Sequence, residues 1–122
     1  AASGAPSVQF ALPVLLEYFS PALVARKMAV NPAALFGVKN RGAIRPGYFA
    51  DLVLVEECAA HTIADSDAVS PCGWTPFAGH SVHHRVSDVW VNGVRAVADG
   101  RLTGAIAGRP LHFSHAAQSD NQ

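Results

Sequence analysis

His80, His83 and His84 are the most closely spaced imidazoles in the sequence. On a helix, His80 and His84 would share a face and could take a zinc ion. Their surroundings argue against that: Gly79, Ser81 and Val82 lead into a strand-like run, and no Cys, Asp or Glu lies between His80 and Arg85. The expectation is therefore surface histidines at the entry to a hairpin, with no metal site. His112 and His115 stand near the C-terminal tail and carry less weight. Cys58 and Cys72 lack a C-x-x-C partner, and nothing supports either as a nucleophile. Trp74 and Phe77 sit in a Pro- and Gly-containing loop and are expected to pack, on a neighbouring part of the protein or at a subunit interface, rather than touch a ligand. No residue of this chain is assigned a catalytic or metal-binding role.

Composition narrows the classes of function. The 122 residues suffice for one ordinary domain, half are hydrophobic and 15% are charged, so most of the chain should be ordered. Nine Lys and Arg balance nine Asp and Glu, a formal net charge of zero, which gives no footprint for nucleic acid or an anionic membrane. No apolar run approaches the ~20 residues of a membrane span. No basic-then-apolar leader opens the sequence, and two cysteines make no disulfide framework, so reduced thiols in a cytoplasmic protein are expected. The opening AASGAPSVQF has neither Met nor the start of an element and reads as the middle of a loop, as if the chain were a piece of a larger protein.

The elements follow from punctuation. Ala1–Gln9 is a loop marked by Gly4 and Pro6. Phe10, Leu15, Leu16 and Phe19 can share a helix face, with Pro13 tolerated only in a first turn; Glu17 and Tyr18 are its polar-capable positions. Ser20-Pro21 and Asn31-Pro32 each read as an N-cap followed by a first-turn proline, so residues 10–37 should hold three helices with almost no linker. Gly37 can end the last in a left-handed conformation. Lys39, Asn40 and Arg41 read as a solvated turn closed by Gly42, and Pro46-Gly47 as a type II turn. Asp51 opens the apolar strand Leu52–Val55, and residues 56–85 show no period and read as a long packed loop. Val86–Val91 and Val94–Val97 form a hairpin about Asn92-Gly93, with Asp99-Gly100 as a further turn and residues 108–113 as a last extended piece.

The order N-P-A…G…G-x-I-x-x-G-x-x-A-D-L-V-L-V over residues 31–55 resembles the C-terminal signature of the amidohydrolase superfamily, which includes dihydroorotases and hydantoinases. The resemblance implies an α/β fold: the C-terminal part of a (β/α)8 barrel, its last loop and terminal helices over residues 1–37, then strands of a small β-subdomain over 38–113, then a polar tail over 114–122. Cys72-Gly73-Trp74-Thr75-Pro76-Phe77 is similar to a C-G-W-S-P-F segment of bacterial dihydroorotases, and the S-G-x-P-x-V-Q of Ser3–Gln9 resembles the loop after their last barrel strand.

Membership of the dihydroorotase group would imply zinc-assisted hydrolysis of a cyclic amide, interconverting dihydroorotate and N-carbamoyl-aspartate in pyrimidine synthesis. Two zinc ions would lower the pKa of a bridging water and polarise the scissile carbonyl. The family's H-x-H and its strand-end Asp have no counterpart here, so the ligands would lie upstream of Ala1 and the chain alone would be inactive. By resemblance, Ser3 and Gly4 would bind dihydroorotate through main-chain groups, a small residue and a glycine allowing close approach. The implied partners are the remainder of the same enzyme, the small-molecule substrate and a further copy in a homo-oligomer, with no nucleic acid or membrane. Alternatives are a hydantoinase or dihydropyrimidinase segment, or a non-catalytic amidohydrolase-like module serving assembly.

Overall fold

The computed structural model describes residues 4–114. Helices come first and an antiparallel sheet follows. α1 spans Val8–Tyr18, α2 Pro21–Ala25 and α3 Asn31–Leu35, with a π-helical turn, Arg26–Val30, joining α2 to α3. The sheet is β1 (Leu52–Thr62), β2 (Ser81–Val91), β3 (Val94–Ala98) and β4 (Arg101–Leu102), in the order β1-β2-β3-β4. Among the described residues no helix is long and apolar enough to cross a membrane.

The helix ends are set by their side chains, with two corrections to the sequence reading. Ser20 caps α2 as expected, its Oγ accepting from Leu23 N–H at 3.4 Å, with Pro21 in the first turn. Asn31, however, is not a cap. Its backbone is helical, and its N–H donates to Arg26 O, five residues back. The wide turn carries the chain past Pro32, which has no N–H to give, without breaking the helix. Two of the three expected helices are thus one continuous helical stretch. Pro13 is the second correction: α1 begins at Val8, so Pro13 lies inside the helix and not in its first turn. There it is buried beside Val14, whose apolar packing offsets the missing bond. α3 stops as predicted. Gly37 takes φ +63°, its N–H donates to Ala34 O at 3.2 Å, and Val38 N–H reaches back to Ala33 O at 2.8 Å.

The turns also fall where their residues dictate. Tyr48 N–H donates to Arg45 O at 3.1 Å across Pro46-Gly47, with Gly47 at φ +84°. Asn92 and Gly93 at φ +51° and +81° close the β2–β3 hairpin. The residue 108–113 piece returns to the helices: Phe113 bridges Val38, and Lys39 N–H donates to His112 O at 2.9 Å.

The strands are longer than expected. β1 runs on to Thr62 and β2 starts at Ser81, so the connection is residues 63–80 rather than 56–85. Two irregularities in the β1–β2 pairing explain why no period was visible. Ser87 is the extra residue between the Leu54–Asp88 and Val55–Val86 pairs, and residues 58–60 stand opposite His83 alone. Each break resets which residues face one side. The core is small: Val14 of α1 meets Ile63 and Val82, with Phe10 and Phe77 packed against them. Phe77 thus packs, as expected of it, and Trp74 stays half exposed.

Arg41 is also corrected. It does not belong to a solvated turn: its guanidinium pairs with Asp51, donates to Asn92 Oδ1 at 2.6 Å and lies 4.2 Å over the Phe49 ring. Asn92 N–H donates to Asp51 Oδ1 at 2.8 Å and its Nδ2 to Ala107 O at 2.6 Å. This network ties the corner after α3 to the start of β1 and the hairpin turn. Across β2 and β3, Asp88 is buried and ion-paired with Arg95; that guanidinium, with a hydrogen bond from Ser87, holds the Asp88 carboxyl below the usual range despite burial.

Candidate functional site

The stretch expected to meet substrate enters at the N-terminal end of α1. Ser3 lies outside the described residues; Gly4 is within them, exposed, and a Cβ built on it would meet no atom of this chain within 4 Å. From there Pro6 and Ser7 lead into the first turn of α1, where Ala11 N–H donates to Ser7 O at 3.0 Å.

Gln9, in that first turn, reaches across to the residue 63–80 connection. Its Nε2 donates to Asp67 O at 2.8 Å and its Oε1 accepts from Val69 N–H at 2.9 Å. The connection is itself braced. Asp67 Oδ2 accepts from Ala64 N–H at 2.9 Å, Asp65 Oδ1 accepts from Thr75 N–H at 2.8 Å, and buried Thr75 accepts from Phe77 N–H at 3.3 Å. Residues 6–9 and Trp74 of the C-G-W-T-P-F stretch, far apart in sequence, flank one place. Between them and the sheet runs an open groove of about 790 Å³, largely apolar, with Pro6, Gln9, Phe10, Val69, Trp74 and His84 among its walls.

The other end of α1 is fixed by Glu17. His83 N–H donates to Glu17 Oε1 at 2.7 Å, His83 Nδ1 lies 2.9 Å from Oε2, and His84 Nδ1 lies 2.7 Å from Oε1. These hydrogen bonds, that from the His83 backbone first, then those from the two imidazoles, pull the Glu17 carboxyl down to about 2. An ionised carboxylate only accepts, so both Nδ1 atoms carry the hydrogen. His80 takes no part; its Nδ1 lies 3.1 Å from Phe77 O and its ring meets Phe77 edge-on, at 5.8 Å. The histidines thus lie in and beside β2, and His83 and His84 tie it to α1 through Glu17. Cys58 sits in the irregular part of β1, its Sγ 3.8 Å from His61 Nδ1, and Cys72 is exposed.

Among the described residues no three His, Cys, Asp or Glu side chains are arranged to hold a metal ion. The residues here do not fit a zinc centre, and no chemical step is assigned to them through one. The sequence reading missed the parts played by Gln9 and Glu17. Glu17 had a signal: it is the only acidic residue between Ala1 and Ala50, set on an apolar helix where a carboxylate needs a partner. Gln9 had none beyond its place in the motif.

Comparison with known proteins gives the frame. The profile of the amidohydrolase family matches residues 5–96, from the loop before α1 into β3. The chain is 39% identical over 112 residues to the dihydroorotase of Halobacterium salinarum, a match covering 83% of this chain and 26% of that protein. It is 30% identical over 112 residues to the allantoinase of Rubrobacter xylanophilus, covering 87% and 25%. Among solved structures, the L-hydantoinase (dihydropyrimidinase) from Arthrobacter aurescens superposes with a TM-score of 0.70 at 25% identity, over 84% of this chain and 24% of that one. The chain spans about a quarter of the length of each of these proteins. With its helices, β1, β2 and the hairpin turn inside the matched stretch, this chain belongs to the amidohydrolase family.

Proposed function

We propose that this chain serves a dihydroorotase, opening the cyclic amide of dihydroorotate to N-carbamoyl-aspartate and closing it in reverse, in pyrimidine synthesis. The observation that carries this reading is the likeness to a curated dihydroorotase, 39% identical over 112 residues, a match covering 83% of this chain. In this reading the chain supplies the substrate loop. Ser3 and Gly4 offer main-chain groups to the ring, and the missing Cβ at Gly4 lets the ring approach. The catalytic zinc ions take their ligands from residues outside this chain, and the 122 residues alone turn nothing over. The enzyme works in the cytoplasm, whose reducing conditions suit the free thiols of Cys58 and Cys72, and assembles as a homo-oligomer.

The allantoinase and hydantoinase likenesses favour one second reading, the same ring-opening chemistry on a hydantoin or dihydropyrimidine ring. A substrate panel decides. The enzyme that carries this chain is assayed with dihydroorotate, allantoin, hydantoin and dihydrouracil. A kcat/KM for dihydroorotate at least about a hundredfold above the others, the discrimination expected when buried polar groups read a substrate's own polar groups, supports the first reading. A preference for any other ring overturns it.

A further inference from the structure

We propose that Gln9 is a positioning residue for the substrate loop, holding Gly4–Ser7 in place by clasping the residue 67–69 backbone. This rests on the reading of Ser3 and Gly4 given above and adds what fixes Gly4.

The clasp is a two-way amide pair. Gln9 Nε2 donates to Asp67 O at 2.8 Å and Gln9 Oε1 accepts from Val69 N–H at 2.9 Å, as a neighbouring peptide would in a sheet. Its far side is stiff, because Asp65, Asp67 and Thr75 cross-brace residues 64–77. Its near side transmits the constraint. Ser7 is already helical in its backbone, Pro6 has φ locked by its ring, and Ala5, preceding a proline, is confined to extended conformations. Ser7 N–H also donates to Ala5 O at 2.9 Å, so few torsions between the clasp and Gly4 are left unrestrained, and holding Gln9 narrows the directions in which Gly4 can point. No other side-chain hydrogen bond among the described residues joins residues 4–9 to the rest of the chain. Without it, α1 is still seated by Val14 and Glu17, and only the loop loses its hold.

The test uses the enzyme that carries this chain. Gln9→Met keeps the volume and removes both hydrogen bonds; Gln9→Glu keeps the acceptor for Val69 N–H and places an oxygen against Asp67 O. Steady-state kinetics with dihydroorotate and amide hydrogen exchange over residues 4–8 are read for both, beside Gly4→Val. Gln9→Met is expected to raise KM about fivefold with kcat within twofold, and to speed exchange at Ser7, whose N–H donates to Ala5 O, while Gln9→Glu falls between it and the parent. If Gly4→Val raises KM and Gln9→Met does not, the positioning role is overturned and the substrate loop stands. If neither changes KM, the substrate-loop reading has failed and takes this inference with it. A fall in kcat of tenfold or more with KM unchanged would also overturn it, because a loop that only seats substrate is felt in binding.

Discussion

Among the described residues, two junctions between helix and sheet have opposite chemistry. Along α1 the contact is apolar in the middle, Val14 and Phe10 against Ile63, Val82 and Phe77, with Gln9 and Glu17 hydrogen-bonded at its two ends. At the corner after α3 the contact is led by polar groups: Arg41, Asp51 and Asn92 bond one another, with the Phe49 ring under the guanidinium. Apolar contact holds surfaces together without choosing a register, whereas a guanidinium fork accepts few geometries. Apart from Pro13, the buried apolar side chains among the described residues are Val14, Val24, Ile63 and Val82. With so little adhesion to draw on, the angles between elements must be set by directional bonds.

That contrast can be broken by mutation, with local opening read by native-state amide exchange in the enzyme carrying this chain. Ile63→Ala should cost about 3 kcal/mol, because the side chain is almost wholly enclosed and its removal leaves a cavity under α1. Protection should fall in α1 and at the end of β1, with the hairpin turn unchanged. Arg41→Ala should cost about 2 kcal/mol by leaving Asn92 Oδ1 without its donor and Asp51 with the Asn92 N–H but no cation. Its losses should centre on Asn92 N–H, which donates to Asp51, and Gly93 N–H, which donates to Ala50 O. Arg41→Lys should restore less than half, since an ammonium cannot span both partners. If the junctions are independent, the double variant adds to within about 0.5 kcal/mol. Strong coupling would mean that the sheet transmits strain between them.

The smallest effect sharpens the comparison through pH. Glu17 is held at about 2 against an ordinary 4.5, so the folded chain favours its ionised form. Its contribution is fully present above the unfolded value and is lost as pH falls through the folded one. The parent should therefore lose stability relative to Glu17→Gln between about pH 4.5 and 2. Denaturant midpoints of the two proteins across that range measure it. A gap that does not change below pH 4.5 would show that the two histidines do not hold the carboxylate.

The turns were legible because the residue at each turn decides the backbone there. Gly37, Pro46-Gly47, Asn92-Gly93 and Asp99-Gly100 all adopt the conformations that their types require. The order of helices before an antiparallel sheet was legible for the same reason. The extent of β1 and β2 was not, because two breaks in register scramble the alternation that marks a strand. Nor were the clasps. Arg41, Gln9 and Glu17 find partners 51, 58 and 66 residues away, and no local pattern announces a contact at that distance. Asn31 misled for a subtler reason: Asn-Pro is a good start for a helix, yet a π turn lets a helix already under way run through it.

That turn changes the direction in which the helix presents itself. Eleven residues of α-helix make roughly three full turns, so Leu35 should lie nearly beneath Val24 on one side of the rod. The widened turn between them takes up one extra residue, which rotates everything after it by about 100°. Val24 is 5% exposed and Leu35 is 78% exposed, with Phe36 beside it at 66%. One uninterrupted rod thereby shows greasy stripes on two separate azimuths, one against its own chain and one outward. A single inserted residue has done the work of a hinge without introducing one.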